Sequence, residues 1–384
     1  MVNPNKNLKI AVISFDWRNI FENNFEELVR KLKRDRLNPD LNEFFFISWS
    51  SKKYHKKFRN FETVHLKAPL GRRILCDFLS DFMVPIILAR HNFRPDIILV
   101  YDFPLIFSAV FAKILWRSKT VLFLGNLPTG LAKTRKFAGL RNIYQKWAEL
   151  AGKYFVDIFL AISQATKDYL NALKIKEEKI RMITPDILER DREHILKSIK
   201  GIIRQKYNIA AEHKILLSVG RLELEKGFEE LIDVFKSLGR DDLVLIIVGE
   251  GSQRQKLAEE IINKGLKGNV ILAGGQDREE IWNFYQDADL FILLSRSEGL
   301  GLTFWEAMYM KVPVIGTDID GIRETIGTDG ERGFYWKNDL SDLKDKLEIL
   351  LNHSNSEREI MVGRAMAYVQ KKMDSKEDIN SLLI

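Results

Sequence analysis

The run KILLSVG (214–220) is apolar apart from its opening Lys214 and Ser218, and it stops on a glycine. A strand of this kind has no polar face to turn to solvent, so it fits a parallel sheet covered by helices on both sides. LVLIIVG (243–249) repeats the pattern and also ends in glycine. NVILAG (269–274), DLFILLS (289–295), VPVIGT (312–317) and GFYW (333–336) continue the series, with helix-like segments between them. Upstream, LKIAVIS (8–14), EFFFISW (43–49), DIILVY (96–101), KTVLFL (119–124), DIFLAIS (157–163) and KIRMIT (179–184) form a second series. Strand–helix alternation predicts βαβ units. Two such series in 384 residues, too long for one ordinary core, predict two doubly wound α/β domains in tandem. The charged, helix-like DILERDREHILKSIKGIIRQKYNI (186–209) separates them. The expected domains are 1–190 and 191–384, with roughly the last 20–30 residues packing back on the first.

A hydrophobic content of 46% supplies apolar material for two cores. The single cysteine, Cys76, excludes an internal disulfide framework and a multi-cysteine metal site. The opening MVNPNKNLKIAVISF reads as a short polar lead into a strand, not a signal peptide, and a cytoplasmic location is expected. The longest apolar stretch, ILCDFLSDFMVPIILA (74–89), is broken by Asp77, Asp81 and Pro85 and is a poor membrane span. Charge is unevenly shared. Residues 1–185 carry 32 Lys and Arg against 17 Asp and Glu, a net +15; the remainder carries 28 against 36, a net −8. The first half therefore suits an anionic partner.

Ligands of open parallel sheets bind beyond the carboxyl ends of the strands, so the residues after each strand matter most. After KILLSV come Gly220, Arg221 and, five residues on, Lys226. An arginine fork and a lysine point charge can grip phosphates, although an ordinary surface loop has the same composition. The next strand runs into Gly249, Glu250 and Gly251, where glycine permits close backbone approach. The strand at 289–295 leads into SRSEGLGLTFWEAM (295–308), in which Glu298 and Glu306 flank Gly299, Leu300, Gly301, Leu302 and Thr303. Thr303 and Glu306 have the spacing of a helix-capping box. The same helix start would offer free N–H groups to an anion. A diphosphate could lie between Arg221, Lys226 and this turn, with the two glutamates accepting hydroxyls on either side. No dinucleotide fingerprint and no P-loop occurs in the sequence.

VGRLELEKGFEELI, IVGEG and SEGLGLTFWEAM followed by VPVIGTDIDGIRETI resemble, in order and spacing, the donor half of glycosyltransferase family 4. The resemblance covers about residues 210–330. It implies the GT-B fold, two Rossmann-like domains facing across a cleft, and a retaining, metal-independent transfer from a nucleotide diphosphate sugar, UDP- or GDP-linked. It assigns the diphosphate to Arg221 and Lys226, the donor sugar and the catalytic position to Glu298, and the ribose to Glu306. Lys311 departs from the family, which usually has a small residue there.

Asp287 with Asp289, and Asp318 with Asp320, are spaced as D-x-D, but such pairs are common at helix ends and turns; no metal or other cofactor is expected. The family's acceptor-side glycines and histidine have no counterpart, and His65 and His91 read as surface or core residues. Asp16, Asp102 and Asn126 follow predicted strands and are the acceptor-side candidates. Two segments carry much of the basic charge, SKKYHKKFR (51–59) and LAKTRKFAGLRNIYQKWAELAGKYF (131–155). The second predicts an amphipathic helix with Phe137, Leu140, Tyr144, Trp147 and Ala151 on one face. Either it packs on the sheet with a basic face to solvent, or it docks on anionic lipid. Nucleic acid is not an expected partner, since no recognition motif accompanies the charge.

The expected activity is transfer of a hexose-type sugar to a glycan or lipid-linked acceptor in surface-glycan synthesis, peripheral to the cytoplasmic face of the membrane, with cleft closure assembling the site. Two alternatives stay open: a nucleotide-sugar epimerase or phosphorylase on the same fold, and a catalytically silent nucleotide-sugar-binding protein.

Overall fold

The computed structural model describes residues 8–13, 42–50, 54–58, 61–67, 83–101, 103–125, 138–184, 188–352 and 356–374. They fall into two compact units, one holding the described residues up to 184 and the other those from 188 to 374.

The first unit is built on an eight-stranded sheet. Its strands are β1 (Leu8–Ile13), β2 (Asn42–Ser50), β3 (Tyr54–Phe58), β4 (Phe61–Lys67), β5 (Ile97–Tyr101), β6 (Lys119–Leu124), β7 (Ile158–Ala161) and β8 (Ile180–Met182). They lie in the order β3-β4-β2-β1-β5-β6-β7-β8. All pairings are parallel except β3 with β4, which form an antiparallel hairpin at one edge. The sequence reading lacks this hairpin. β3, YHKKF, has no apolar run, and it sits where an unpaired edge gains from lysine, because charge there discourages pairing with another chain. The central strands are buried on both faces, as their uniform apolarity requires: Ile10 to Ile13, Ile97 to Val100 and Val121 to Leu124 all lie in the core.

The second unit holds β9 (Lys214–Val219), β10 (Leu243–Val248), β11 (Val270–Gly274), β12 (Leu290–Leu293), β13 (Val314–Thr317) and β14 (Phe334–Trp336), all parallel. Their order is β11-β10-β9-β12-β13-β14. The chain winds outward from β9 in one direction, then returns to β12 and winds in the other. The reversal lies between β9 and β12, and a crevice at their carboxyl ends is the usual ligand position in such sheets. An aromatic stack fills the core behind it: Tyr285 packs 5.7 Å from Trp282 and 6.1 Å from Phe291, which meets Phe304 edge-on at 5.0 Å. The helix Ser356–Asp374 belongs to this unit and packs on the helix Leu302–Tyr309, with Tyr368 edge-on to Trp305. Of roughly the last 20–30 residues, expected from the sequence to return to the first domain, 375–384 lie outside the described residues.

Candidate functional site

The site is assembled from two loops that leave adjacent strands. The loop after β9 carries Gly220, Arg221, Glu225, Lys226 and Gly227; the loop after β12 carries Ser295, Glu298 and Gly299. Gly227 takes φ 67°, and a Cβ there would stand 1.9 Å from the carbonyl oxygen of Leu294. Only a glycine lets the first loop lie this close to the end of β12. A second tie crosses the same seam, from the Arg296 amide to the Glu225 carbonyl oxygen at 2.8 Å.

This contact delivers Lys226 to Glu298. Lys226 Nζ donates to Glu298 Oε1 at 2.6 Å, and Ser295 Oγ donates to the same oxygen at 2.7 Å. Glu298 is buried and Lys226 nearly so. The ammonium offsets much of the cost of burying a carboxylate, and the serine adds a fixed donor. Ser295 is itself anchored, since its carbonyl oxygen accepts from Thr317 Oγ1 at 2.6 Å. Arg221 is half-exposed, 3.6 Å from Glu225 Oε1. One cation therefore faces outward while the other is fixed beside the buried glutamate.

Glu306 stands in a different environment. Its Oε1 accepts from Arg278 Nη1 at 2.8 Å and its Oε2 from the Tyr285 hydroxyl at 2.8 Å. Arg278 also binds Asp191 of the helix Leu188–Lys197, through Nε at 2.9 Å and through Nη2. Burial opposes the charge on Arg278, but Glu306 and Asp191 outweigh it and hold the guanidinium pKa above its ordinary value. Burial, with the Glu306 charge added, pushes the Tyr285 phenol far up, so it stays a neutral donor.

The capping-box reading of Thr303 and Glu306 is corrected here. The helix Leu302–Tyr309 begins after Gly301, which takes the N-cap position at φ 69° without a side-chain cap. Thr303 falls inside the first turn, and the Glu306 carboxylate turns into the core toward Arg278 and Tyr285. The first-turn N–H groups consequently receive no carboxylate from Glu306. Leu300 and Gly299 are buried beneath this turn, and a Cβ at Gly321 would meet the Glu298 carbonyl oxygen at 2.1 Å.

Glu250 and Gly251 follow β10. Glu250 is exposed, accepting from Arg254 Nη1 at 2.9 Å and from the Gly275 amide at 3.3 Å. Gly251 lies against Leu222, whose amide donates to the Glu250 carbonyl oxygen at 2.9 Å. Lys226 and Glu298 are thus in direct contact; Arg221 pairs within its own loop, and Glu306 forms a separate buried cluster. Ser295, Glu225, Arg278, Tyr285 and Asp191 are the supporting residues that the sequence reading did not assign. Arg278 and Asp191 are 87 positions apart and no local spacing announces them, whereas Ser295 stands three residues before Glu298 and Glu225 four after Arg221.

The acidic pairs have structural work. Asp287 receives the amides of Gly201, Ile203 and Arg204, the last two at 2.8 and 3.2 Å, and so caps the helix Ile202–Lys206 from a distance. Asp289 accepts from Arg204 Nη2 at 2.8 Å and from the Ile215 amide at 2.9 Å. Arg323 spans Asp318 and Asp320, both at 2.7 Å. Among the described residues, no group of three or more His, Cys, Asp or Glu is arranged to hold a metal ion.

Asp16, Asp102 and Asn126 lie outside the described residues, as does Phe137. The strands that precede the three acceptor-side candidates, β1, β5 and β6, are neighbours in the first sheet. His91 pairs with Glu62 at 2.5 Å and meets the Phe45 ring edge-on, a position in the fold of the first unit. His65 lies on β4, paired in register with Tyr54.

The helix expected over 137–155 is present as Ala138–Phe155, with its faces assigned differently. Ala148 and Gly152 are buried and Tyr144 packs on Phe107 at 5.8 Å, whereas Trp147 is exposed. Small residues let the helix approach the sheet: a Cβ on Gly152 would meet the Phe103 ring at 2.9 Å. The bulkiest aromatic is therefore left outside. No helix among the described residues is long and apolar enough to cross a membrane.

Comparison with known proteins agrees with the topology. Residues 23–185 match the family described as Glycosyltransferase Family 4, and residues 200–365 match Glycosyl transferases group 1. An uncharacterized glycosyltransferase of Methanocaldococcus jannaschii is 30% identical over 241 residues, 59% of this chain and 56% of the relative. The chain spans about half the length, or less, of the curated relatives it matches. Among solved structures, sucrose-phosphate synthase from Thermosynechococcus elongatus superposes with a TM-score of 0.76 at 17% identity, covering 96% of this chain and 95% of that one. Anabaena Alr3699/HepE in complex with UDP-glucose gives 0.70 at 18% identity, covering 98% of both chains. The parallel Rossmann-like sheets and the two family matches, one to each half, lead to one assignment: the chain belongs to the family 4 glycosyltransferases, with the GT-B fold.

Proposed function

We propose that the protein is a retaining, metal-independent glycosyltransferase that moves a hexose-type sugar from a UDP- or GDP-linked donor to a glycan or lipid-linked acceptor. The observation that carries this reading is the Lys226–Glu298 pair at the reversal point between β9 and β12, with Arg221 on the same loop as Lys226. Arg221 and Lys226 would hold the diphosphate, and the uncapped start of the helix Leu302–Tyr309 would add N–H groups and positive dipole character. Lysine has three N–H donors, so Lys226 can bind a phosphate oxygen without releasing Glu298. Glu298, fixed by Lys226 and Ser295, would accept from donor-sugar hydroxyls and orient the ring for attack. Glu306 would meet the ribose through the lone pairs left by Arg278 and Tyr285. Glu250 and Gly251 would line the nucleoside side.

In the reaction, the bond from the anomeric carbon to the diphosphate oxygen breaks as the acceptor hydroxyl attacks from the same face. The departing phosphate oxygen takes the acceptor proton. The protein supplies position and charge stabilisation, and no protein base is required. The satisfied state of the four D-x-D carboxylates supports a metal-independent course. UDP-glucose bound by the Alr3699/HepE neighbour supports a nucleotide-sugar donor. The net +15 of residues 1–185 supports contact with anionic lipid and work at the cytoplasmic membrane face.

The test is donor turnover. Glu298→Ala and Arg221→Ala should each lower transfer by about two orders of magnitude or more, with the fold retained by circular dichroism. Full activity in both would remove the donor-site assignment. Release of epimerised sugar nucleotide without acceptor would replace transfer with epimerisation.

A further inference from the structure

The helix Ala138–Phe155 turns an apolar stripe outward. Ile143, Trp147, Leu150 and Tyr154 are between 47% and 68% exposed. Their spacing of four, three and four residues places them within one narrow arc of the helix, along about 16 Å of its axis. At the adjoining end of the helix Ile106–Trp116, Ile114 and Leu115 are exposed as well. The two helix ends are tied together, since Lys113 Nζ donates to the Phe155 carbonyl oxygen at 3.0 Å. Large apolar side chains in such a row are not what a solvent-facing helix presents; a contiguous patch marks an interaction surface.

Charge identifies the occupant. Lys146 and Lys153 lie on one flank of the stripe by helical spacing, and Lys146 is exposed. The helix has one acidic residue, Glu149, and it is turned inward, where its Oε1 accepts from the Tyr169 hydroxyl at 2.5 Å and from Gln145 Nε2 at 2.9 Å. The stripe thus presents Trp, Tyr and aliphatic side chains edged by lysine, in a half of the chain with a net charge of +15. That is the composition of a helix lying in the plane of an anionic lipid interface, where amphipathic rings sit at headgroup level and lysines meet lipid phosphates. A second copy fits less well. It would bring like charges together, and a single row of side chains falls short of the roughly 20–30 residues a side of a stable interface.

We propose that the helix Ala138–Phe155 docks the first unit onto an anionic bilayer through Ile143, Trp147, Leu150 and Tyr154, with Lys146 and Lys153 at the headgroups. This deepens the lipid-facing part of the proposed function and rests on it only for its biological purpose, since the docking needs no turnover.

The experiment is co-sedimentation of the full chain with phosphatidylcholine vesicles, with and without phosphatidylglycerol. The chain should partition onto the anionic vesicles and not onto phosphatidylcholine alone. Trp147→Ser with Leu150→Ser, and Lys146→Glu with Lys153→Glu, should each lower the partition coefficient about tenfold or more. Ile360→Ser, an exposed apolar residue of the second unit, should leave it unchanged. An unchanged circular-dichroism spectrum and an unchanged urea slope in every variant would certify the fold. No partition onto anionic vesicles, or partition unaffected by the Trp147 and Leu150 changes, would overturn the proposal. So would a dimer in analytical ultracentrifugation that those changes dissociate. Loss of sugar transfer with vesicle binding intact would count against the proposed function and leave the docking surface standing.

Discussion

Lys226 and Glu298 are 72 positions apart in the chain and 2.6 Å apart in space. The two strands that flank the reversal of the second sheet end side by side, and Gly227 lets their loops touch. The pair sets an ammonium against a buried carboxylate at the carboxyl ends of those strands. Lys226→Met keeps the side chain's bulk and removes the charge. UDP affinity should fall by about tenfold or more in isothermal titration, while uridine, which lacks phosphates, should bind as before. An equal loss for uridine and UDP would mean that Lys226 shapes the loop and does not contact phosphate.

The Glu306 cluster makes a separate prediction about stability. Replacing Glu306 by leucine leaves Arg278 with Asp191 alone and the Tyr285 hydroxyl with only the Thr303 carbonyl oxygen at 3.4 Å, in a largely buried place. The expected cost is about 3–5 kcal/mol in urea denaturation, the range for breaking a buried ion pair on one side. Tyr285→Phe removes one bond to a charged acceptor and should cost about 1.5 kcal/mol. Because the two residues share one bond, the double change should cost less than the sum. Strict additivity would show that the Tyr285–Glu306 contact carries no stability.

These two clusters show what the sequence holds and what it hides. Strands such as LVLIIVG are legible because burial on both faces leaves an unbroken apolar run. The hairpin of β3 and β4 is not, because YHKKF, at the sheet edge, has no apolar run and FETVHLK breaks its apolar residues with charged and polar ones. Lys226 and Glu298 are legible through their positions after two strands of one sheet. Arg278, Tyr285 and Asp191 are not, because each is defined by a partner on another element. The capping box misleads for a local reason: Gly301, in the left-handed region, takes the N-cap place that the spacing offers to a hydroxyl. Trp147 misleads for a packing reason, since Ala148 and Gly152 allow a closer approach to the sheet than an aromatic would.

Asp157 gives a pH dependence for the first unit. Burial alone would raise its pKa, but the Lys113 ammonium and the bonds from the Thr120 amide and hydroxyl, both at 2.9 Å, hold it below the ordinary carboxylate value. A depressed folded pKa stabilises the fold above the unfolded value of about 3.9, and that contribution is lost as pH falls through the folded pKa. Asp157→Asn should therefore destabilise the protein at pH 7 by about 1–3 kcal/mol. The difference from the parent should shrink steadily below about pH 4. A gap that stayed constant down to acid unfolding would assign the loss to shape and not to charge.

Lys311 offers the opposite kind of change, a substitution that should stabilise. The helix Leu302–Tyr309 ends in a Schellman turn: the Lys311 amide donates to Met308 at 3.1 Å and the Val312 amide to Ala307 at 2.9 Å. This geometry requires a left-handed residue at 311, and Lys311 takes φ 58°. Glycine adopts that conformation without a Cβ clash, whereas a lysine there is strained by about 1 kcal/mol. Part of the gain from Lys311→Gly is offset, because glycine has more freedom to lose in the unfolded chain. A net stabilisation of about 0.5 kcal/mol is expected, read as a higher urea midpoint at an unchanged slope. The helix also carries Glu306, and its uncapped first turn faces the proposed diphosphate, so the variant should keep its UDP affinity while its midpoint rises. A lower midpoint would mean that the lysine side chain contributes contacts worth more than the backbone strain it imposes.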